Sequence, residues 1–387
     1  MGIRNRTASG SYNRLLALQH IRRFPGISRA ALARKIGITA PAVTPIVSFL
    51  MDEGFIRESG NQPGKFGRPS IGLELVENRA YTVGLHFDHQ RFQAALVNLG
   101  GKLEDSRSVV VGDISHPDEL VETLTGLYRD VTSPLPDHAE VLGVGLAAMG
   151  PIDVEHGCVC GYSPDREWRE YPLVQELEGR IGHEIFLENN FSAMATNSVW
   201  AGDEGCQNNA IYIYIGYGVG GALIVDGRIH RGSSRNAGEV GHINVERDGR
   251  PCVCGAKGCM ENYVSYRALV SDLGPEMADP DVLLEGFRQT DARLADWLDQ
   301  AATALALALG TATNLLDADT ILYSGLFPDE ILEHLMKTAA ERIPEYVMHA
   351  RPTMPAFIRG IDYMPALCAA TLNIYETLDP ENGSSLI

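Results

Sequence analysis

Apolar residues Leu15, Leu16, Leu18 and Ile21 recur at near-helical spacing through residues 12–24, and Pro25-Gly26 then breaks the pattern. One helix is predicted to end there. Ser28 is placed to cap a second helix with apolar positions Ala31, Leu32 and Ile36, while Gly37 supplies a tight turn and Thr39 the N-cap of a third. Two short helices joined by a glycine turn make a helix-turn-helix. Beyond Glu53-Gly54, residues 55–58 read as a strand, and 71–75 alternate similarly past a Gly/Pro/Lys loop, so the hairpin is expected as a wing. The loop 61–69 belongs to that wing or links it to the body. The boundary is expected near residues 76–79, giving a winged helix-turn-helix over 1–76 and a body over 77–387.

In the body, 81–85 and 92–99 read as paired strands around a polar turn, followed by a strand at 141–146. Residues 210–225 carry two strand-like segments about a Gly-rich turn, and 294–316 form a long Ala/Leu helix ahead of a strand at 321–323. Such a mixture is α/β. Strand pairs opening both halves point to two duplicated α/β lobes, without any short-period repeat.

Composition narrows the class. A chain of 387 residues, 45% hydrophobic, has ample core for two or three domains and is neither disordered nor a disulfide-stapled miniprotein. Charge is uneven: residues 1–75 hold 11 basic and 4 acidic side chains (+7), leaving −25 on the remainder of a chain whose net is −18. A basic module thus sits on an acidic body, which argues against wrapping the whole surface in nucleic acid or anionic membrane. The most apolar window, 301–312, contains Thr303 and Gly310 and falls short of the ~20 residues of a membrane span. No apolar stretch follows the arginines of residues 1–10, so a cytoplasmic protein with no membrane partner is expected.

A helix-turn-helix lays its second helix in the major groove, with flanking basic residues on phosphates. Here that helix follows Thr39. Thr44 and Ser48 lie one turn apart on one face, Ala42 can touch a thymine methyl, and Arg29, Lys65 and Arg68 can hold the backbone. Alternatively Thr39 only caps, Ser48 is a solvated position and the arginines only solubilise. Pro41 is harmless in the first turn, whereas Pro45 removes an interior amide bond at a cost of ~3 kcal/mol if unrelieved, and a kink is expected there.

His242 precedes Cys252-x-Cys254-x4-Cys259 by nine residues, giving one imidazole and three thiolates, a tetrahedral set suited to structural zinc with no open position for a catalytic water. Gly255 and Gly258 let the loop at 242–259 fold tightly enough for the sulfurs to converge. Seven cysteines, three of them in this loop, fit a reducing compartment better than disulfides.

These segments resemble one family. The run NRLLALQHIRRFPGISRAALARKIGITAPAVTPIVSFLMDEGFIRESG followed by GRPS is similar to the winged head of ROK (repressor, open reading frame, kinase) transcriptional repressors, departing at Pro45, where such helices often carry a basic residue. AGEVGHINVERDGRPCVCGAKGCMEN resembles the ROK zinc signature, and GLAAMGPID, WREYPL and GYGVGGALIVDGRIHRG extend the likeness from Asn13 to about Thr371. The resemblance implies a two-lobed ribonuclease-H-like body of the actin-like ATPase and sugar kinase type. It places sugar contacts at Asn189 and Asn190 of LENN, at Glu239 and His242 of GEVGH and at Glu261, with Ser163 and Gly218 beside them. Carboxylates and amides suit vicinal hydroxyls because they engage neighbouring oxygens together. Ordinary readings compete: a salt bridge for Glu239 or Glu261, a helix cap for Asn189.

Kinases of the family carry an Asp as general base where this chain has Asn190, and an amide cannot take that proton. Where they resemble Gly-Ile-Asp-Leu-Gly-Gly-Thr, this chain reads Gly84-Leu85-His86-Phe87-Asp88-His89-Gln90, and Tyr217 replaces the usual Thr of the second loop, 216–221. Asp88 lies on the wrong lobe to substitute for the base. The expectation is a non-enzymatic, sugar-responsive regulator, most simply a repressor of carbohydrate genes, with structural zinc. Its expected partners are operator DNA, a sugar effector and a second copy of the chain, as a dimer or paired dimers. Two rivals are a hexose kinase carrying a DNA-binding head and a sugar-blind scaffolding regulator.

Overall fold

The computed structural model describes residues 6–62, 70–88, 91–112, 114, 116–136, 139–161, 165–201, 208–360 and 364–378. The chain divides into two compact units, Met1–Glu188 with Pro365–Ile387 and Asn189–Met364.

The first unit opens with α1 (Arg6–Arg23), β1 (Ile27–Ser28), α2 (Arg29–Ile36), α3 (Ala40–Asp52), β2 (Ile56–Gln62) and β3 (Ser70–Leu75). Ser28 Oγ accepts the Ala31 N–H at 3.3 Å, and Gly37 closes α2 at φ +72°, the left-handed conformation that glycine adopts without a Cβ penalty. Thr39 starts α3 through its backbone alone. Its carbonyl accepts from Ala42 and Val43 at 3.0 and 3.2 Å, whereas its hydroxyl makes no cap bond. The helix runs unbroken through the exposed Pro45. Val43, Val47 and Leu50 are buried, as are Leu15, Leu18, Ile21 and Leu32 on the other two helices. β1 was not foreseen. It pairs with β3 (Ile27↔Leu73), so the wing hairpin is the outer part of a sheet ordered β1-β3-β2.

A 3-10 turn, Glu77–Arg79, leads into β4 (Ala80–Phe87), β5 (Arg91–Asn98) and β6 (Leu103–Val110), then α4 (Pro117–Thr132), β7 (Glu140–Ala148), β8 (Ile152–Asp153), β9 (Cys158–Val159), α5 (Arg166–Arg169), α6 (Leu173–Ile181) and β10 (Ile185–Asn189). The sheet order is β10-β7-β4-β5-β6, with β4 antiparallel to β5 and parallel to β7. β4 is buried along its whole length. Its odd positions Val83, Leu85 and Phe87 share a core with Leu120, Val121 and Leu124 of α4.

The second unit holds α7 (Asn190–Ala201), β11 (Ala210–Ile215), β12 (Val219–Val225), β13 (Arg228–His230), α8 (Glu261–Val264), α9 (Tyr266–Leu273), α10 (Pro280–Arg288), α11 (Ala292–Leu316), β14 (Thr320–Gly325), α12 (Asp329–Arg342) and β15 (Ala356–Arg359). Its sheet order is β13-β12-β11-β14-β15, again with the first strand antiparallel to the second and parallel to a later one. The apolar stripe of α11, including Leu298, Leu305 and Leu309, packs with Ile211, Ile213 and Ile215. Gly310 sits in that helix because a Cβ there would press on Tyr346 Cβ at 2.6 Å.

The chain then returns to the first unit as α13 (Pro365–Leu378). Its backbone lies against the even face of β4: Thr82 Oγ1 donates to Ala370 O at 3.0 Å, and a Cβ at Gly84 or Gly145 would collide with the carbonyl of Ala366 or Ala369. Among the described residues no helix is long and apolar enough to cross a membrane.

Candidate functional site

On the head, α3 exposes one face and buries the other. Ala42, Thr44, Pro45 and Ser48 are exposed opposite Val43, Val47 and Leu50, and Thr39 is exposed at the helix start. Thr44 Oγ1 reaches back to Ala40 O at 3.4 Å. Arg29 is engaged within the head: its Nη2 lies 3.0 Å from Glu58 Oε1 on β2 and 3.7 Å from Met51 Sδ on α3. Lys65 and Arg68 lie outside the described residues.

In the second unit, His242 ends a 3-10 turn, Val240–His242, and the following loop doubles back. Val245 N–H donates to Gly258 O at 2.8 Å, Met260 N–H to Ile243 O at 2.9 Å, and Asn244 Nδ2 to Lys257 O at 2.6 Å. Gly258, at φ +71°, passes so close to Glu246 O that no Cβ fits. This folding gathers His242, Cys252, Cys254 and Cys259, whose ligand atoms all lie within 4.8 Å of one another. Cys254 and Cys259 Sγ are 3.7 Å apart, and His242 Nδ1 is 3.6 Å from Cys252 Sγ. Tetrahedral zinc with Zn–S near 2.3 Å places its sulfurs about 3.8 Å apart, so the donors fit a small cation. Burial pushes the Cys252 thiol up to about 12 and raises Cys259, while the Ala256 N–H lowers Cys254. At neutral pH Cys252 and Cys259 are therefore thiols unless a bound cation holds them deprotonated.

Beside this cluster stand three of the expected sugar-binding positions, Glu239, Glu261 and Gly218. Glu261 opens α8 and is 5% exposed; its Oε1 receives Cys252 Sγ at 3.1 Å and Arg267 Nη2 at 3.3 Å. Its Oε2 faces Gly218, where a Cβ would lie 3.0 Å away. His242 turns Nδ1 to Cys252 and leaves Nε2 3.8 Å from Glu239 Oε2, so its two nitrogens serve different sides. Burial raises the Glu239 carboxyl, His242 opposes that, and Glu261 adds to it. Asn189 and Asn190 are buried at the start of α7, and both Oδ1 atoms accept the Phe191 N–H, at 2.9 and 3.1 Å. Asn189 therefore serves as a helix cap whatever else it binds. Ser163 lies outside the described residues.

Two neighbours went unread in the sequence. Arg267 neutralises Glu261 across one turn of structure. Phe191 stacks on Tyr214, ring centroids 5.7 Å apart, and fills the space over Gly220, where any Cβ would strike the ring. The signal for Phe191 was its bulk directly after the paired asparagines. In the first unit, His86 is 1% exposed and its Nδ1 lies 2.9 Å from Ala147 O, while Asp88 Oδ1 accepts the Arg91 N–H at 2.8 Å and closes the hairpin.

Residues 82–363 match the model of the ROK family, and residues 11–57 match that of the winged helix-turn-helix DNA-binding domain. The xylose repressor of Caldicellulosiruptor bescii is 28% identical over 270 residues, 69% of this chain and 67% of that protein. The glucokinase of Thermotoga maritima is 27% identical over 286 residues, 69% of this chain and 88% of that protein. A solved ROK family transcriptional regulator, described as a homologue of the E. coli MLC protein, superposes with a TM-score of 0.79 at 21% identity over 97% of this chain and 99% of its own. That likeness establishes the fold, head included. With the family model spanning most of its length, the chain belongs to the ROK family.

Proposed function

We propose that this protein is a sugar-responsive transcriptional repressor of carbohydrate genes, working in the cytoplasm on double-stranded operator DNA. The observation that carries the reading is the union, in one chain, of a winged head with an exposed α3 face and a ROK body, the chain being related over 69% of its length to a xylose repressor. A pentose or hexose would bind through Asn189, Asn190, Glu239, His242 and Glu261, with Gly218 beside Glu261; the family resemblance adds Ser163 as a further candidate. Glu261 and Glu239 accept from sugar hydroxyls, the asparagine amides both donate and accept, and His242 Nε2 faces the same side as Glu239. His242, Cys252, Cys254 and Cys259 would hold zinc, which supplies structural cross-linking of the loop that carries Glu239 and Glu261.

Ala42, Thr44 and Ser48 on α3, with Thr39 at its start, would meet base edges, and Lys65 and Arg68 the phosphates; Arg29 would reach phosphate by exchanging its bond to Glu58. A two-fold dimer, alone or paired into a tetramer, would read a pseudo-palindromic operator. Sugar shifts the population of DNA-competent dimers only through differential affinity for the two states. No phosphoryl transfer is expected, because Asn190 offers no base.

The experiment is fluorescence anisotropy on DNA from upstream of the protein's own gene, at fixed salt, with D-xylose, D-glucose and further monosaccharides titrated in. Tight binding released by one sugar, and release lost in Glu261→Ala, is the expected result. Wild-type release that survives Glu261→Ala overturns the pocket assignment. The relationship to a glucokinase keeps one rival in view: sugar-dependent ATP consumption by the wild type would return the chain to the enzymes.

A further inference from the structure

The head joins the first sheet through a turn that belongs to the sheet. Leu99 N–H, at the end of β5, donates to both Glu77 O and Ala80 O at 3.0 Å, and Asn98 Nδ2 donates to Asn78 Oδ1 at 3.0 Å. Glu77 packs so tightly on Gly100 that a Cβ there would lie 2.9 Å from it. The backbone of Arg79 is thereby fixed to the lobe.

Its side chain points the other way. Arg79 Nε donates to Glu53 O at 2.9 Å, and its guanidinium lies 4.8 Å from the centre of the Phe55 ring, which is buried. Nη1 meets Glu140 Oε2, at the start of β7, at 2.5 Å. Glu53 is the C-cap of α3. One lobe-borne cation thus spans from the lobe sheet to the end of the helix whose exposed face is offered to DNA.

That helix needs a cation there. A helix C-terminus carries unpaired carbonyls and partial negative charge, and basic residues in the last turn normally answer it. α3 has none in its last turn and ends instead on Asp52 and Glu53. The donor to the capping carbonyl comes from Arg79, while Arg29 adds a second cation beside Met51 in the same turn. Clefts flank the bridge, one of about 440 Å³ lined by Arg22, Arg57, Glu74 and Glu77 among others and one of about 610 Å³ lined by Asn78, Tyr81 and the Arg79–Glu140 pair itself among others. A second tie, Gln19 Nε2 to Leu378 O at 2.9 Å, holds α1 to the end of α13 but does not touch α3.

We propose that Arg79 is a positioning residue for DNA recognition: it caps α3 from the lobe, with Glu140 as its anchor, so that the lobe sets the pitch of the recognition helix. The proposal rests on the reading of α3 as the operator-reading helix. Movement of β7 would reach the DNA through Glu140, Arg79 and Glu53 O in turn.

The test uses the full chain as wild type, Arg79→Ala, Arg79→Lys, Glu140→Ala and the double alanine variant. Anisotropy is recorded on upstream DNA and on a scrambled duplex, and deuterium uptake over residues 50–56, whose amides Gly54 and Phe55 bond Met51 O and Leu50 O. Arg79→Ala should lower the ratio of specific to scrambled affinity roughly fivefold to tenfold, and speed uptake at 50–56 while α1 and α2 stay protected. Arg79→Lys should recover most of the loss. Glu140→Ala should lose less, and the double variant no more than Arg79→Ala, since Glu140 acts only through Arg79.

Unchanged ratio and uptake in Arg79→Ala, or losses that multiply in the double variant, overturn the proposal while leaving the repressor reading intact. Wild-type protein that does not distinguish the two duplexes overturns the reading and the proposal together.

Discussion

The hairpins β4–β5 and β11–β12 occupy equivalent places in their two sheets, each opening its sheet and each pairing its first strand parallel to a later one. Glycine does different work in them. In β4, Gly84 admits the protein's own α13, and the two strands meet through Phe87 against Phe92, 5.9 Å apart edge to face, with His86 bonded to Ala147 O and Asp88 to the Arg91 N–H. In β11–β12, Gly216 and Gly218 make an open turn whose backbone lies beside Glu261, with Tyr217 59% exposed. The glycine of one hairpin admits a helix of the protein itself, and those of the other leave an exposed turn beside a buried carboxylate.

The largest effect should come from the β4–β5 hairpin. Gly84→Ala places a methyl group on the Ala366 carbonyl and Ala370 amide of α13, backbone atoms that cannot step aside, and should lower stability by about 3–5 kcal/mol in a thermal or urea melt. Gly126→Ala in α4 is the contrast, since nothing lies within 4 Å of its Cβ position; helix propensity alone should raise stability by about 0.5–1 kcal/mol. A harmless Gly84→Ala would mean that α13 does not pack there.

Next is the brace behind the open hairpin. Cys259→Ser removes the most buried sulfur of the cluster, and elemental analysis should show the metal lost, with the melt lowered by about 2–4 kcal/mol. Wild-type protein, purified without chelator, that carries no metal would remove the brace from the comparison altogether. A smaller effect, about 1–3 kcal/mol, is expected for Gly220→Ala, whose methyl strikes the Phe191 ring. Here the obstacle is a side chain, so Gly220→Ala with Phe191→Ala should be less destabilised than the sum of the single variants. Strict additivity would show that ring and glycine do not touch.

What could be read from the chain beforehand follows the range of the interactions involved. Ser28 and Gly37 announce a helix start and stop because their bonds are local, and the spacing of His242, Cys252, Cys254 and Cys259 announces a cluster because one loop supplies every donor. β1 and β6 announce nothing. β1 is two residues long and exists through its pairing with β3, and β6 alternates weakly because its far end is an exposed edge. Thr39 was legible as a position but not as a bond, since its hydroxyl leaves the cap to the backbone. Arg267 on Glu261, Phe191 on Gly220 and Arg79 on Glu53 join residues brought together by tertiary packing or a turn of the fold, which no local pattern marks.

The smallest expected effect tests whether one added carboxylate is enough for chemistry. Asn190→Asp puts back the carboxylate that the kinase resemblance expects, at a site the fold will tolerate: the side chain starts α7 and its Oδ1 accepts the Phe191 N–H, where negative charge is favoured by the helix N-terminus. A general base contributes about 10²–10⁴-fold to rate, but only to a phosphoryl group already held in line. That holding requires backbone amides open to phosphate and a carboxylate for the metal ion, and the described part of the β4–β5 hairpin offers His86 bonded to Ala147 O and Asp88 bonded to Arg91 N. A coupled assay with D-glucose or D-xylose should therefore show no ATP consumption above background in Asn190→Asp, with the melt within about 0.5 kcal/mol of wild type. Sugar-dependent turnover would mean that the β4–β5 hairpin opens to phosphate, and that the difference between the two lobes is one of occupancy rather than of construction.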